Sequence, residues 1–231
     1  MEKQNLQINE IPAIIWGARA DKVYLYIHGQ GGNKNEAEDF SHIAARRGYQ
    51  VMSIDLPEHG ERRDEGIPME PWNVIPELSR IMEYSRDRWT EISLFANSIG
   101  AWFSLLAFSD EQLKKSLFVS PVVNMAKLIS DMMTWANVTA SQLEREKVIP
   151  VDFGPPLSWR YWQYAKEHPV QKWNVPTNIL YGEKDDLISH STIEEFTNRF
   201  DCSLTVMQGG EHWFHTPAQL SVLRDWAEKS L

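Results

Sequence analysis

Ser98 lies in the segment Ala96-Asn97-Ser98-Ile99-Gly100, between the apolar run 92–95 and a stretch of helical period that begins at residue 99. A serine hydroxyl is a poor nucleophile at neutral pH. It needs a base to take its proton and a carboxylate to orient and support that base. Both types follow in the chain: Asp185 and Asp186 after Tyr181-Gly182-Glu183-Lys184, and His212 after Gly209-Gly210-Glu211. The small residues Ala96 and Gly100, two before and two after the serine, suit a sharp strand-to-helix turn with neighbouring backbone close by. The chemistry such a set supports is attack on a carbonyl through a covalent intermediate. Either aspartate can in principle reach the histidine. His215, three residues beyond His212, forms a His-x-x-His pair with it, but a zinc site needs further ligands. The chain has one cysteine and no His-Glu-x-x-His, so the expected chemistry uses no metal and no cofactor.

These residues need a scaffold, and short apolar runs alternate with longer segments of helical period along the chain. Strands are expected at 13–16, 23–27, 50–54, 92–95, 116–119, 177–180 and 204–207, and helices at 36–47, 72–88, 99–108, 192–200 and 217–229. That alternation is the pattern of a mostly parallel sheet covered by helices on both faces, an α/β fold. Two helix starts are marked: Ser191-x-x-Glu194 has the form of a capping box, and Thr216-Pro217 places an N-cap threonine before a first-turn proline. Each candidate then falls in a loop following a strand.

In these segments the chain resembles the α/β-hydrolase fold serine hydrolases, in particular their esterase and lipase branches. The nucleophile segment differs from the family's Gly-x-Ser-x-Gly by Ala96 at the first glycine. His28-Gly29-Gln30-Gly31-Gly32 and Asp55-Leu56-Pro57-Glu58-His59-Gly60 resemble two further loops of those branches. Tyr181 to Asp185 and Gly209 to His212 resemble the acid and histidine loops, and the likeness runs from Ile11 to Glu228. It implies a triad of Ser98, Asp185 and His212, the acid being the aspartate three residues after Gly182. It also implies an oxyanion hole built from the backbone N–H groups of Gln30 and Ile99. His28 is expected to brace the oxyanion loop and His59 to line the rim.

The implied substrate is a small-molecule carboxylic ester of short to medium acyl chain. Thioesters and peptides use the same machinery, and a low-turnover ligand-binding protein can share the fold. A dehalogenase would carry Asp at position 98.

One domain over residues 1–231 is expected, with a small helical cap inserted at 122–174. That stretch is too long for an ordinary connection and holds helix-like pieces but no clear strand. Four of the ten tryptophans lie in it. Trp135, Trp159 and Trp162 are expected to line an apolar acyl pocket; the alternative is that they pack the insert onto the main domain.

With 42% hydrophobic and 24% charged residues the composition is that of a globular protein. A net charge of −9 argues against a nucleic-acid partner, which needs a basic surface to replace counterions. No apolar run approaches the ~20 residues needed to span a bilayer, and the N-terminal residues lack a signal-peptide pattern, so a cytoplasmic location without membrane attachment is expected. A single cysteine, Cys202, excludes an intrachain disulfide. Oligomeric state is left open by the sequence.

Overall fold

The computed structural model describes residues 1–231. Ten strands run in chain order: β1 (Lys3–Ile8), β2 (Ile11–Trp16), β3 (Lys22–Ile27), β4 (Gln50–Ile54), β5 (Glu91–Asn97), β6 (Ser116–Val119), β7 (Val148–Ile149), β8 (Leu157–Ser158), β9 (Thr177–Gly182) and β10 (Ser203–Met207). The helices are α1 (Ala37–Ala45), α2 (Pro71–Arg86), α3 (Ile99–Ala107), α4 (Met125–Trp135), α5 (Ala140–Glu146), α6 (Trp159–Glu167), α7 (His190–Phe200) and α8 (Pro217–Ser230).

Eight strands form one sheet in the order β1-β2-β4-β3-β5-β6-β9-β10, in which β2 runs antiparallel to both its neighbours, β1 and β4, and the strands β4, β3, β5, β6, β9 and β10 are parallel. The inner parallel strands β4, β3, β5, β6 and β9 are largely buried on both faces and are therefore mostly apolar, whereas the edge strand β10 is partly exposed. Side chains alternate across the sheet. Leu25, Ile27, Leu94, Ala96 and Phe118 face a core shared with α2, α3, α4 and α7. Tyr24, Tyr26, Phe95, Leu117 and Val119 face a second core shared with α1 and α8. Ser98 follows directly on β5, at the C-terminal edge of the sheet, where open α/β sheets place their functional loops.

Three local features differ from expectation. β1 is an additional edge strand, polar and largely exposed, whose sequence has too short an apolar alternation to announce it. The cap of α7 is Ser189 and not Ser191: its hydroxyl accepts from Thr192 N–H, and Ser191 lies inside the helix. Residues 122–174 contain α4, α5 and α6 and also a two-residue antiparallel ladder, β7 with β8. By contrast Thr216 caps α8 in a full capping box with Gln219.

Candidate active site

Ser98 occupies a backbone conformation that residues with a side chain rarely adopt, φ 47° and ψ −121°. Such strain persists only where the surroundings over-determine it. Here Ser98 N–H donates to Val119 O at 3.0 Å, and Ser98 O accepts from Ala101 N–H at 3.1 Å and Val122 N–H at 3.0 Å. Gly100 is required by close approach: a Cβ there would lie 2.4 Å from His28 O and 2.8 Å from Ile27 O. Ala96, which replaces the usual first glycine, points its methyl into the core and is fully buried.

Three loops bring the predicted side chains together. His212 Nε2 lies 2.9 Å from Ser98 Oγ, and His212 Nδ1 lies 2.7 Å from Asp185 Oδ2. The other carboxylate oxygen, Oδ1, accepts from the N–H groups of Leu187 at 3.0 Å and Ile188 at 2.8 Å. An ionised carboxylate only accepts, so His212 Nδ1 carries the proton and Nε2 presents a lone pair to the serine hydroxyl. Asp186 is exposed, and it is Asp185 that meets the imidazole. Gly182 lets the acid and histidine loops touch, since a Cβ on it would fall 2.4 Å from Glu211 O.

The His-Gly loop after β3 is held by two histidines. His28 is fully buried, donates from Nδ1 to Gly29 O at 2.7 Å and accepts at Nε2 from Leu56 N–H at 3.0 Å. That pairing needs the neutral ring, and burial lowers its pKa to about 4. His59 does not line the rim. It is buried, donates from Nδ1 to Pro57 O, and accepts Gly31 N–H at Nε2 over 2.8 Å. The neighbouring Gln30 N–H makes no hydrogen bond within the protein. Ile99 is the first residue of α3, where N–H groups lack intrahelical acceptors. Ile99 follows Ser98 directly, and Gly29 lets the loop that carries Gln30 approach, with a Cβ there only 3.1 Å from Ser98 Cβ.

Beneath this loop is an ion network of which the Asp-x-Pro-x-x-Gly segment marked Asp55 and Gly60 but neither Lys34 nor Arg62. Asp55 accepts from Lys34 N–H at 2.8 Å, Lys34 Nζ at 2.5 Å and Glu61 N–H at 3.0 Å, and both Lys34 and Asp55 are buried. Gly60 sits so close that a Cβ would overlap the Asp55 carboxylate. Arg62 forms a bidentate pair with Glu77 of α2 at 2.6 and 2.8 Å. A lysine five residues after a His-Gly pair and the first of two adjacent arginines after Asp-x-Pro-x-x-Gly look like ordinary surface charges in one sequence.

The tryptophan assignment needs correction. A cavity of about 660 Å³ opens at Ser98 and His212, and none of Trp135, Trp159 or Trp162 lines it. Trp162 donates to Ser130 Oγ at 3.0 Å and packs edge-on against Trp159, and both rings pack against the larger core. Trp135 is largely exposed and meets Phe153. Trp162 thus joins α6 to α4. His215 is exposed, with Nδ1 on Trp213 O, and no group of three His, Cys, Asp or Glu side chains converges to hold a metal ion. Burial pushes the Cys202 thiol up to about 11.

No protein-family model matches the chain, and no curated protein sequence matches it. Its structure is nevertheless similar to many solved ones. Est1E from Butyrivibrio proteoclasticus superposes with a TM-score of 0.76 at 15% identity over 100% of this chain and 97% of that one, and a second Est1E structure holds ferulic acid. Alpha/beta hydrolase domain-containing protein 10 from mouse gives 0.76 at 13% identity, covering 100% and 98%. A thioesterase domain from the curacin biosynthetic pathway gives 0.65 at 16% identity, covering 98% and 99%. The chain has the α/β-hydrolase fold.

Proposed function

We propose that the chain is a serine hydrolase that cleaves carboxylic esters of small to medium acyl chain through an acyl-enzyme on Ser98. The observation that carries this reading is the continuous relay from Asp185 through His212 to Ser98 Oγ, with both links at hydrogen-bond distance. Ser98 Oγ attacks the ester carbonyl while His212 Nε2 takes its proton. His212, now an imidazolium stabilised by Asp185, returns that proton to the departing alcohol. Water then attacks the acyl-enzyme with the same histidine as base and releases the acid. The oxyanion of each tetrahedral intermediate is held by the N–H groups of Gln30 and Ile99, with the positive end of α3 behind it.

Thioesters need the same relay, and a thioesterase domain is among the similar structures, so a thioester is the second substrate to try. No helix is long and apolar enough to cross a membrane, which is compatible with a cytoplasmic enzyme acting on dissolved small esters.

The test is active-site labelling with a fluorophosphonate together with hydrolysis of aryl esters. Wild-type protein is expected to label and to turn over, whereas Ser98→Ala does neither and keeps its melting temperature. Loss of the nucleophile costs roughly 10⁶ in turnover in a well-studied serine hydrolase. Near-wild-type hydrolysis by Ser98→Ala removes the mechanism, and a wild-type protein that fails to label is a binding protein on this fold.

A further inference from the structure

The cavity at Ser98 does not run toward the tryptophan-rich insert. It extends over the other face of the sheet, between α1 and α8. Its floor is made by Tyr26, Phe95 and Val119, which alternate away from the core that packs the insert. Phe40 and Ile43 of α1 form one wall, and Leu220 and Leu223 of α8 the other. Tyr26 and Phe95 stack at 5.0 Å, and Phe40 lies 4.3 Å from Phe95, so the floor is a fixed aromatic surface and not loose side chains. Protein interiors are close-packed, and a cavity of about 660 Å³ lined this way falls in the size range of small-molecule sites.

Two of its lining residues, Asp39 and Arg224, join the helices across it. Arg224 of α8 donates from Nη2 to Asp39 Oδ2 of α1 at 2.9 Å, and both side chains are about half exposed. An exposed ion pair contributes little to stability, so this strap can part and re-form at small cost.

We infer that this cavity is the acyl site: the apolar acyl chain of the ester lies between α1 and α8 over Phe95, under the Asp39–Arg224 strap. The inference rests on the serine-hydrolase reading and names the substrate group that selects. In that mechanism the alcohol departs while the acyl group stays covalently bound until water arrives. The part of the substrate that stays is the one suited to a strapped, apolar cavity. Leu220 and Leu223 are then specificity-determining residues, and Trp159 and Trp162 are not.

The experiment compares wild type with Leu223→Trp and Leu220→Trp, two substitutions at partly exposed positions that fill the cavity, so that one serves if the other fails to fold. The readout is the ratio of kcat/KM for an octanoyl over an acetyl ester of the same phenol. In wild type each methylene that fits raises kcat/KM about fourfold (~0.8 kcal/mol per methylene). In the filled variants the ratio is expected to fall at least about tenfold, the loss of two or so methylenes' worth of contact. Trp159→Ala and Trp162→Ala are expected to leave it within about twofold, since neither ring touches the cavity.

An unchanged ratio in filled variants that still label at Ser98 overturns the inference. So does a change confined to acetate esters of graded alcohols. A readout free of catalysis separates this from failure of the hydrolase reading. Octanoate at millimolar concentration is expected to raise the melting temperature of wild type but not of Leu223→Trp. If wild type never labels, that binding difference still supports the site, and its absence overturns it.

Discussion

At the scale of single residues the site turns on which of two adjacent aspartates meets the imidazole. Asp185 is enclosed, with one oxygen on His212 and the other on two backbone N–H groups, whereas Asp186 faces solvent. Asp185→Asn keeps the shape but offers an amide that can favour the wrong imidazole tautomer. Its expected cost is about 10⁴ in turnover, the scale found for the equivalent change in another serine hydrolase. Asp186→Asn is expected to stay within about threefold, as exposed substitutions away from a site do. Steady-state kinetics on one aryl ester check both, and equal losses would reassign the acid. That Ser98, Asp185 and His212 meet was legible in the sequence because the chemistry expected of them restricts residue type and the turn restricts neighbours. The tryptophans were not. A large apolar ring reports that burial is needed, but burial against α4 and burial around a substrate make the same demand on composition.

At the scale of elements the C-terminal ends of β3 and β4 are clamped by one neutral imidazole. His28 stands just after β3 and accepts the N–H of Leu56, two residues beyond β4, and it can do so only unprotonated. Its folded pKa is depressed to about 4, below the reference of roughly 6.5 for an unfolded chain. The stability this gives is present above the unfolded value. It is lost as pH falls from about 6.5 to about 4, because the unfolded chain takes up a proton that the folded one refuses. The expected loss over that window is on the order of 3 kcal/mol. Urea titrations at a series of pH values check it, and His28→Asn should show a shallower pH dependence, so an equal slope in both proteins rules the clamp out. The buried strands were readable because strands covered on both faces are apolar throughout, and the start of α8 because Thr216 and Pro217 act locally. β1 was hidden for the opposite reason: it is an edge strand exposed over most of its length, and only Leu6 and Ile8 at its end reach the core, too short a pattern to read in Lys3 to Ile8. The start of α7 was displaced because Ser189, Ser191 and Thr192 all offer a hydroxyl, and only the backbone decides which is the cap.

At the scale of the whole molecule the relay is a long-range object. Ser98 and His212 are 114 residues apart, and Asp185 and His212 are 27 apart. The histidine loop follows β10, the outermost parallel strand, which pairs only with β9. Correct spacing between Ser98 and His212 therefore requires β5, β6, β9 and β10 all to be in register. Non-local pairings of this kind form slowly, and chains of this size commonly pass through partly ordered intermediates. Reactivity toward a fluorophosphonate is then a clock for the last stage of folding. On dilution from denaturant, helical circular dichroism is expected to recover first and Ser98 labelling to lag behind it. Quenched-flow labelling against the optical signal measures that delay, and simultaneous recovery would mean that the outer strand docks early. A newly synthesised chain would thus remain chemically silent until its final strand is seated.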